Sequence, residues 1–343
     1  STRTGNQAST LPAGREGVRN KDINGQLRWQ INEQQSLEFE AGYSRQGNIY
    51  AGDTQNTNSN ALVVSNYGTE TNRMYRQNYA VTHRGVWDSG ISTTSYLQYE
   101  RTDNTRLMEG LAGGTEGAFD TTHPNQFGTI TLDSYTAHSE MNLPFTALFA
   151  QTATFGLEFN EQKMHDPVSV TQTTTEAGTL TGLGISDTNR SADSSARLAS
   201  VFVEDNVELT DSTMLTPALR LDHHSTAGTN WSPSLNLSQG LGDDFTLKLG
   251  IARAYKAPNL YQTNPNYLLY SRGQGCYGST ESCYLIGNED LKAETSVNKE
   301  IGIEFHRNGV LAGVTYFRND YRNKIESGLT QIGKAVGGTN ASY

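Results

Sequence analysis

Residues 37–43 read Leu37-Glu38-Phe39-Glu40-Ala41-Gly42-Tyr43, and their alternation decides the fold. Successive side chains of an extended chain point to opposite faces. Leu37, Phe39, Ala41 and Tyr43 therefore form one apolar face, while Glu38, Glu40 and Gly42 form the other. The device recurs in ATFGLEFN (153–160), where Ala153, Phe155, Leu157 and Phe159 oppose Thr154, Gly156, Glu158 and Asn160. FTLKLGIA (245–252) repeats it with Phe245, Leu247, Leu249 and Ile251, and NKEIGIEFH (298–306) with Ile301, Ile303 and Phe305.

These segments come in pairs. Short connections at 32–36, 85–90, 210–212, 240–244 and 308–309 alternate with long polar ones near 49–72, 102–133, 164–196 and 254–296, giving about twelve strands in six hairpins. Loops of more than about fifteen residues are rare in compact domains and usually functional. A sheet with tight turns at one rim and long loops at the other has the form of an outer-membrane barrel. The segments 37–48, 73–84, 151–163, 197–208 and 213–224 are long enough to cross a bilayer as tilted strands. Strands of a soluble sandwich or a secreted β-rich domain, the competing architectures, average about five or six residues. Tyr, Phe and Trp near strand ends suit interfacial girdles.

Composition agrees. Hydrophobic residues make up 35% and charged residues 18% of 343 residues, with 34 Gly and 17 Tyr, a mixture for strands and polar loops rather than long helices. The formal net charge of −10 disfavours nucleic acid as a partner. No run of eighteen apolar residues is present to form a spanning helix, a fact silent on barrels, whose strands score weakly on hydropathy. The chain opens STRTGNQAST, without an initiator Met or a signal segment, and is expected to be an internal excerpt or a processed product.

Three features could carry chemistry. Cys276 and Cys283, the only cysteines, stand in the polar stretch QGCYGSTESCY. On a cell surface they would form a disulfide closing a short loop. Free thiols or a metal site are the alternatives, the latter short of ligands at nearby spacing. Second, five Arg and no Lys lie from Arg73 to Arg106, against Asp88, Glu100 and Asp103. Guanidinium is planar, always charged and stacks on rings, which suits a large delocalised anion. Alternatively, some of these Arg face the barrel interior and pair with Glu of neighbouring strands. Third, Asp222, His223 and His224 suggest a metal, but adjacent strand residues point to opposite faces, so a structural strand end is expected. No catalytic motif occurs, and Gly-rich 111–117 does not stand between a strand and a helix as a phosphate cradle does. Glu109 and Glu116 are the nearest acid and base candidates, and the chain is expected not to be an enzyme.

The run ARAYKAPNLYQTNPNYLLY (252–270) followed by GNEDLKAETSVNKEIGIEF (287–305) resembles the paired signature of TonB-dependent outer-membrane receptors, R-A-P-x-L then N-x-D-L-K-x-E, with Tyr-Lys inserted between Arg253 and Pro258. With LPAGREGV (11–18), AGYSRQGNIYAGDTQNTNSN (41–60) and EGLAGGTEG (109–117), the resemblance narrows to the ferric enterobactin receptors of Gram-negative bacteria. It implies an all-β fold, an antiparallel transmembrane barrel segment with about twelve of twenty-two strands, here spanning 1–343 without the plug domain and terminal strands. It further implies uptake of a ferric catecholate siderophore driven by the TonB–ExbB–ExbD complex through the plug, with no resident cofactor, iron being cargo. Outer-membrane lipid and lipopolysaccharide would surround the barrel, and colicins and phages would dock on its loops. By the same resemblance Tyr50, Arg73, Arg76, Arg106, Glu109, Phe119 and Tyr270 bind the ligand, and Cys276 and Cys283 form a loop disulfide. Leu62 and Val64 depart from a Tyr and an Arg that the family can carry, which would shift affinity or the preferred catecholate.

Overall fold

The computed structural model describes residues 17–50, 61–107, 126–168, 180–181, 191–265, 267–271, 283–326, 328, 331–335 and 340–342. Twelve long strands form one antiparallel sheet in which every neighbour in space is the next long strand in sequence. They are β1 (Gly17–Gln30), β2 (Gln35–Ile49), β3 (Glu70–Val86), β4 (Ser92–Leu107), β5 (Phe127–Ala147), β6 (Phe149–His165), β8 (Asp193–Thr210), β9 (Thr213–His224), β10 (Gly228–Leu241), β11 (Phe245–Lys256), β14 (Glu294–Arg307) and β15 (Val310–Arg322). The five crossing segments expected from sequence all lie within these strands. Four are longer than expected, because pairing continues through the polar residues at their ends.

Local chemistry sets the turns. Between β1 and β2 the Asn32 Oδ1 accepts from the backbone N–H groups of Gln34 and Gln35 at 2.9 and 2.8 Å, a side-chain mimic of a backbone turn. Between β14 and β15, Asn308 and Gly309 have φ of 51° and 76°, the two positive values that an Asn-Gly hairpin turn demands. Six such tight connections lie at one end of the sheet. The other end carries the long segments between β2 and β3, β4 and β5, β6 and β8, and β11 and β14. One connection at that end is short: residues 225–227, between β9 and β10, are closed by His224, whose Nδ1 accepts from the N–H groups of Thr226 and Ala227 at 3.1 Å. His223 faces the other way and meets Thr229 at 3.0 Å. The Asp-His-His run is thus a strand end, as its alternation required.

Register carries the two faces across the sheet. Leu27, Phe39, Val81, Leu97, Ala137, Phe159 and Ala199 are directly opposite one another along seven successive strands. Leu157, Val201, Leu221 and Trp231 form a second row, and Leu249, Ile301 and Tyr316 a third. This apolar face is open to its surroundings: Val201 is 54% exposed, Leu157 59% and Val314 79%. Among the described residues only Leu107, Ala153, Met164 and Ala293 are buried hydrophobics. A contiguous apolar surface of this extent marks a membrane or a partner, because a soluble protein rarely exposes one larger than a few hundred Å². Tyr79, Tyr99 and Tyr135 stand side by side on the apolar face towards the long-loop end, with ring centroids 6.4 and 4.9 Å apart. Phe245 and Phe305, 5.1 Å apart, stand near the tight turns. Aromatic rings at both margins of an apolar band are the girdles of a spanning barrel.

The opposite face is polar and paired. Arg84 meets Glu38 at 3.1 Å, Lys248 meets Glu304 at 3.0 Å, and Arg220 reaches both Asp222 at 3.0 Å and Glu158 at 3.4 Å. Asp222 is nearly fully buried and also accepts from the Ser200 hydroxyl.

The sequence reading missed a second sheet. Short strands β7 (Leu180–Thr181), β12 (Leu268–Ser271), β13 (Cys283–Ile286), β16 (Gln331–Ala335) and β17 (Asn340–Ser342) associate in the order β12-β13-β17-β16-β7, with β13 and β17 parallel. Three come from long connections and two from the C-terminal stretch, and none has the length to show a period-two pattern.

Candidate ligand-binding rim

The long-loop rim is held together by the two signature segments. Asn259 and Gln262 exchange side-chain and backbone bonds at 2.7 and 2.9 Å, a capping box that nucleates one short helical turn, Leu260–Thr263. The second segment lies on this turn. Asn288 N–H donates to the Gln262 carbonyl at 2.7 Å, and a Cβ added to Gly287 would stand 1.9 Å from the Asn264 carbonyl oxygen. Only glycine permits that approach. Asn264 in turn donates to the Ser194 hydroxyl at 2.9 Å, so the turn is anchored to the start of β8. Two motifs about thirty residues apart are therefore one packed unit.

A buried carboxylate joins this unit to β6. Asp166 is fully buried and accepts from the Tyr261 hydroxyl and the Val168 N–H, each at 2.9 Å. The Tyr261 and Tyr267 rings pack 5.0 Å apart. Burial pushes the Tyr261 phenol well up, the charge of Asp166 and its hydrogen bond push it further, and the Arg106 charge opposes them. Tyr267 is raised by the same burial and the same carboxylate, again opposed by Arg106. Asp166, Tyr261 and Tyr267 thus form one cluster, within reach of the Arg106 charge. In the sequence only Arg106 stood out; the paired signature contains both tyrosines, and no local pattern marked Asp166.

The structure separates the sequence-expected ligand residues. Arg76 and Arg106 share the polar face by register. Arg76 is exposed, touches the Met74 thioether at 3.1 Å, and has no ion pair among the described residues. Arg73 has the opposite parity and shares the face of Tyr75 and Tyr79. Its Nε is 3.3 Å from Glu70, which also binds Arg45 at 2.5 Å, and its guanidinium lies 5.6 Å from the Phe127 ring centre. Tyr50 packs on the buried Leu107 together with Tyr67, the two tyrosine rings 5.8 Å apart. Tyr270 lies in β12 opposite Tyr284, where the backbone alone is described. Glu109, Phe119 and Cys276 lie outside the described residues; Cys283 begins β13, again as backbone. Leu62 is in the helix Ala61–Asn66, also as backbone, and Val64 in the same helix is exposed. The alternative expected for the arginines, facing the interior and pairing with Glu of a neighbouring strand, holds for Arg84 with Glu38; Arg101 instead shares the face of Leu97 and Tyr99, where it meets Asp103 and Asp133. Among the described residues no group of three or more metal-ligating side chains gathers.

A girdled antiparallel wall with an apolar exterior, a polar interior and a cationic, aromatic loop rim defines a β-barrel receptor of the outer-membrane type. The chain belongs to the TonB dependent receptor-like β-barrel family, whose model matches residues 5–342. It is 63% identical over 99% of its length to the ferrienterobactin receptor of Escherichia coli, of which it covers 46%. Identity to the ferric enterobactin receptor of Pseudomonas aeruginosa is 64% over 98% of the chain, which covers 45% of that protein. A solved structure of a mutant of the Pseudomonas aeruginosa receptor PfeA in complex with enterobactin superimposes with a TM-score of 0.89, at 62% identity, covering all of this chain and 49% of that one. The chain spans about half the length of the curated relatives it matches.

Proposed function

We propose that this chain forms the wall and capture loops of an outer-membrane receptor that binds ferric enterobactin or a related ferric catecholate siderophore and imports it with energy from TonB. The observation that carries this reading is the long-loop rim, where Arg76 and Arg106 lie on the interior face and the Arg106 charge reaches the Tyr261–Tyr267 pair. A ferric triscatecholate is a trianion with aromatic faces. Guanidinium offsets such charge at short range and its plane stacks on rings. Tyrosines add flat apolar contact with a hydroxyl to spare. Recognition and passage require no covalent step, so the rim acts by binding alone.

The identity of 63% and 64% to two ferric enterobactin receptors supports the catecholate as ligand class, and an exposed interior Arg76 supplies a ready counter-charge. The test is quenching of intrinsic tryptophan fluorescence in a detergent-purified full-length receptor carrying this sequence, titrated in parallel with ferric enterobactin and a ferric hydroxamate. Saturable quenching by the catecholate alone is expected; an equal response to both overturns the assigned class.

A further inference from the structure

Leu107 ends β4 on the same face as Leu97, since residues an even number apart share one side of a strand. Leu97 is 65% exposed on the apolar exterior, yet Leu107 is only 3% exposed. Two tyrosines of the connection between β2 and β3, Tyr50 and Tyr67, pack on it, with ring centres 5.8 Å apart and planes inclined by 45°. Backbone bonds hold the chain on which these rings stand. The Tyr50 N–H donates to the Thr69 carbonyl at 2.8 Å, the Gly68 N–H to the Tyr50 carbonyl at 2.9 Å, and the Tyr67 N–H to the Val64 carbonyl at 3.3 Å. Those bonds place the main chain, whereas the direction of the Tyr50 ring is a matter of its rotamer, and Leu107 and Tyr67 are surfaces on which that ring rests. Leu107 also follows Arg106 directly, so one buried side chain stands where an aromatic and a cationic position of the rim meet.

We propose that Leu107 is a positioning residue: seated beneath Tyr50, with Tyr67 as the brace, it presets the Tyr50 ring for stacking on a catechol of the ligand. The inference rests on the reading of the rim as a catecholate site and of Tyr50 as one of its ligand residues. A ring already held in its bound direction spares the entropy of immobilising it when ligand arrives, an advantage of about twofold to tenfold in affinity. Leu107 is itself covered, so its effect on affinity passes through the rings above it.

The experiment measures binding of ferric enterobactin to the full-length receptor in detergent for Leu107→Ala, Leu107→Met, Tyr50→Ala and Arg76→Ala, and for Leu107→Ala combined with each of the last two. Heat-modifiable gel mobility checks that the barrel is intact. Leu107→Ala opens space beneath the rings and is expected to weaken binding about twofold to tenfold. Leu107→Met keeps volume and apolar character and is expected to bind as the parent does. In the Tyr50→Ala background Leu107→Ala is expected to have no further effect. In the Arg76→Ala background the two losses are expected to multiply, because Arg76, level with Thr102 on the other face of the sheet, is remote from Leu107. A loss from Leu107→Ala that persists in full in the Tyr50→Ala background overturns the proposal, since Leu107 would then support the rim in general. Parent-like binding by Leu107→Ala overturns it too, as does a loss in Leu107→Met equal to that in Leu107→Ala. If Tyr50→Ala binds as the parent does while Arg76→Ala binds more weakly, the ligand role of Tyr50 fails and the positioning role falls with it. Absence of saturable binding by the parent overturns the catecholate reading itself, an outcome distinct from the others.

Discussion

Gly287 shows how one residue fixes a site. Its missing side chain is what lets the second signature segment lie on the Asn264 carbonyl. Gly287→Ala forces backbone to move rather than a flexible tip, and overpacking of this kind costs about 1–3 kcal/mol. The expected outcome is faster proteolytic nicking within 257–293, with barrel mobility on gels unchanged. Tyr261 supplies a pH prediction. Its phenol holds its proton to higher pH in the folded protein than in the unfolded chain. The stability it contributes is therefore complete below the ordinary tyrosine range near ~10 and declines as pH rises above it. Thermal unfolding of the parent and Tyr261→Phe should differ most near pH 8 and converge towards pH 11; a constant difference would place the phenol in an unperturbed setting. Arg73 stands three residues from Arg76 within one strand, so alternation alone puts the two on opposite faces and they cannot act as a pair on the interior wall.

Hairpins are the unit at the next scale. The Asn308-Gly309 turn is readable without coordinates because only a few residue types tolerate two consecutive positive φ values. Replacing Gly309 by Val should destabilise the β14–β15 hairpin by about 1 kcal/mol or more and be detected as greater hydrogen exchange in 300–318 than elsewhere in the sheet. The single-residue connection at Leu148, with φ of 61° and the side chain 98% exposed, lacks any such signature. Its hairpin is set instead by the register of β5 on β6, from Thr131 opposite His165 to Ala147 opposite Phe149. The short strands of the second sheet were equally hidden, because segments of two to five residues pair only where the rest of the fold brings their backbones together.

At the scale of the whole molecule the apolar surface is inverted relative to a soluble protein, with aliphatic rows outside and ion pairs within. That arrangement fixes where charge is tolerated. Val201→Arg, in the middle of the exterior band, is expected to cost about 2–4 kcal/mol in a bilayer, read from denaturant unfolding in lipid vesicles. Ser234→Arg, opposite the small Ala218 and Ala252 on the interior face, should cost less than half as much. Equal costs would mean that the faces are assigned the wrong way round.

Alternation in segments such as LEFEAGY and ATFGLEFN was enough to specify the long strands and their two faces, because a period of two survives whatever the partners are. The same holds for the tight turns rich in Asn, Gly and Asp, whose backbone demands are local. Resemblance of 252–270 and 287–305 to a receptor signature pointed to the rim, yet not to why the two segments belong together. Only the folded chain decided that Gly287 closes on Asn264, that Asp166 is buried beneath Tyr261, and that Arg76 and Arg106 share a face. Those facts depend on which residues, distant in sequence, meet when the sheet curves and its loops converge. Local periodicity carries no record of such meetings.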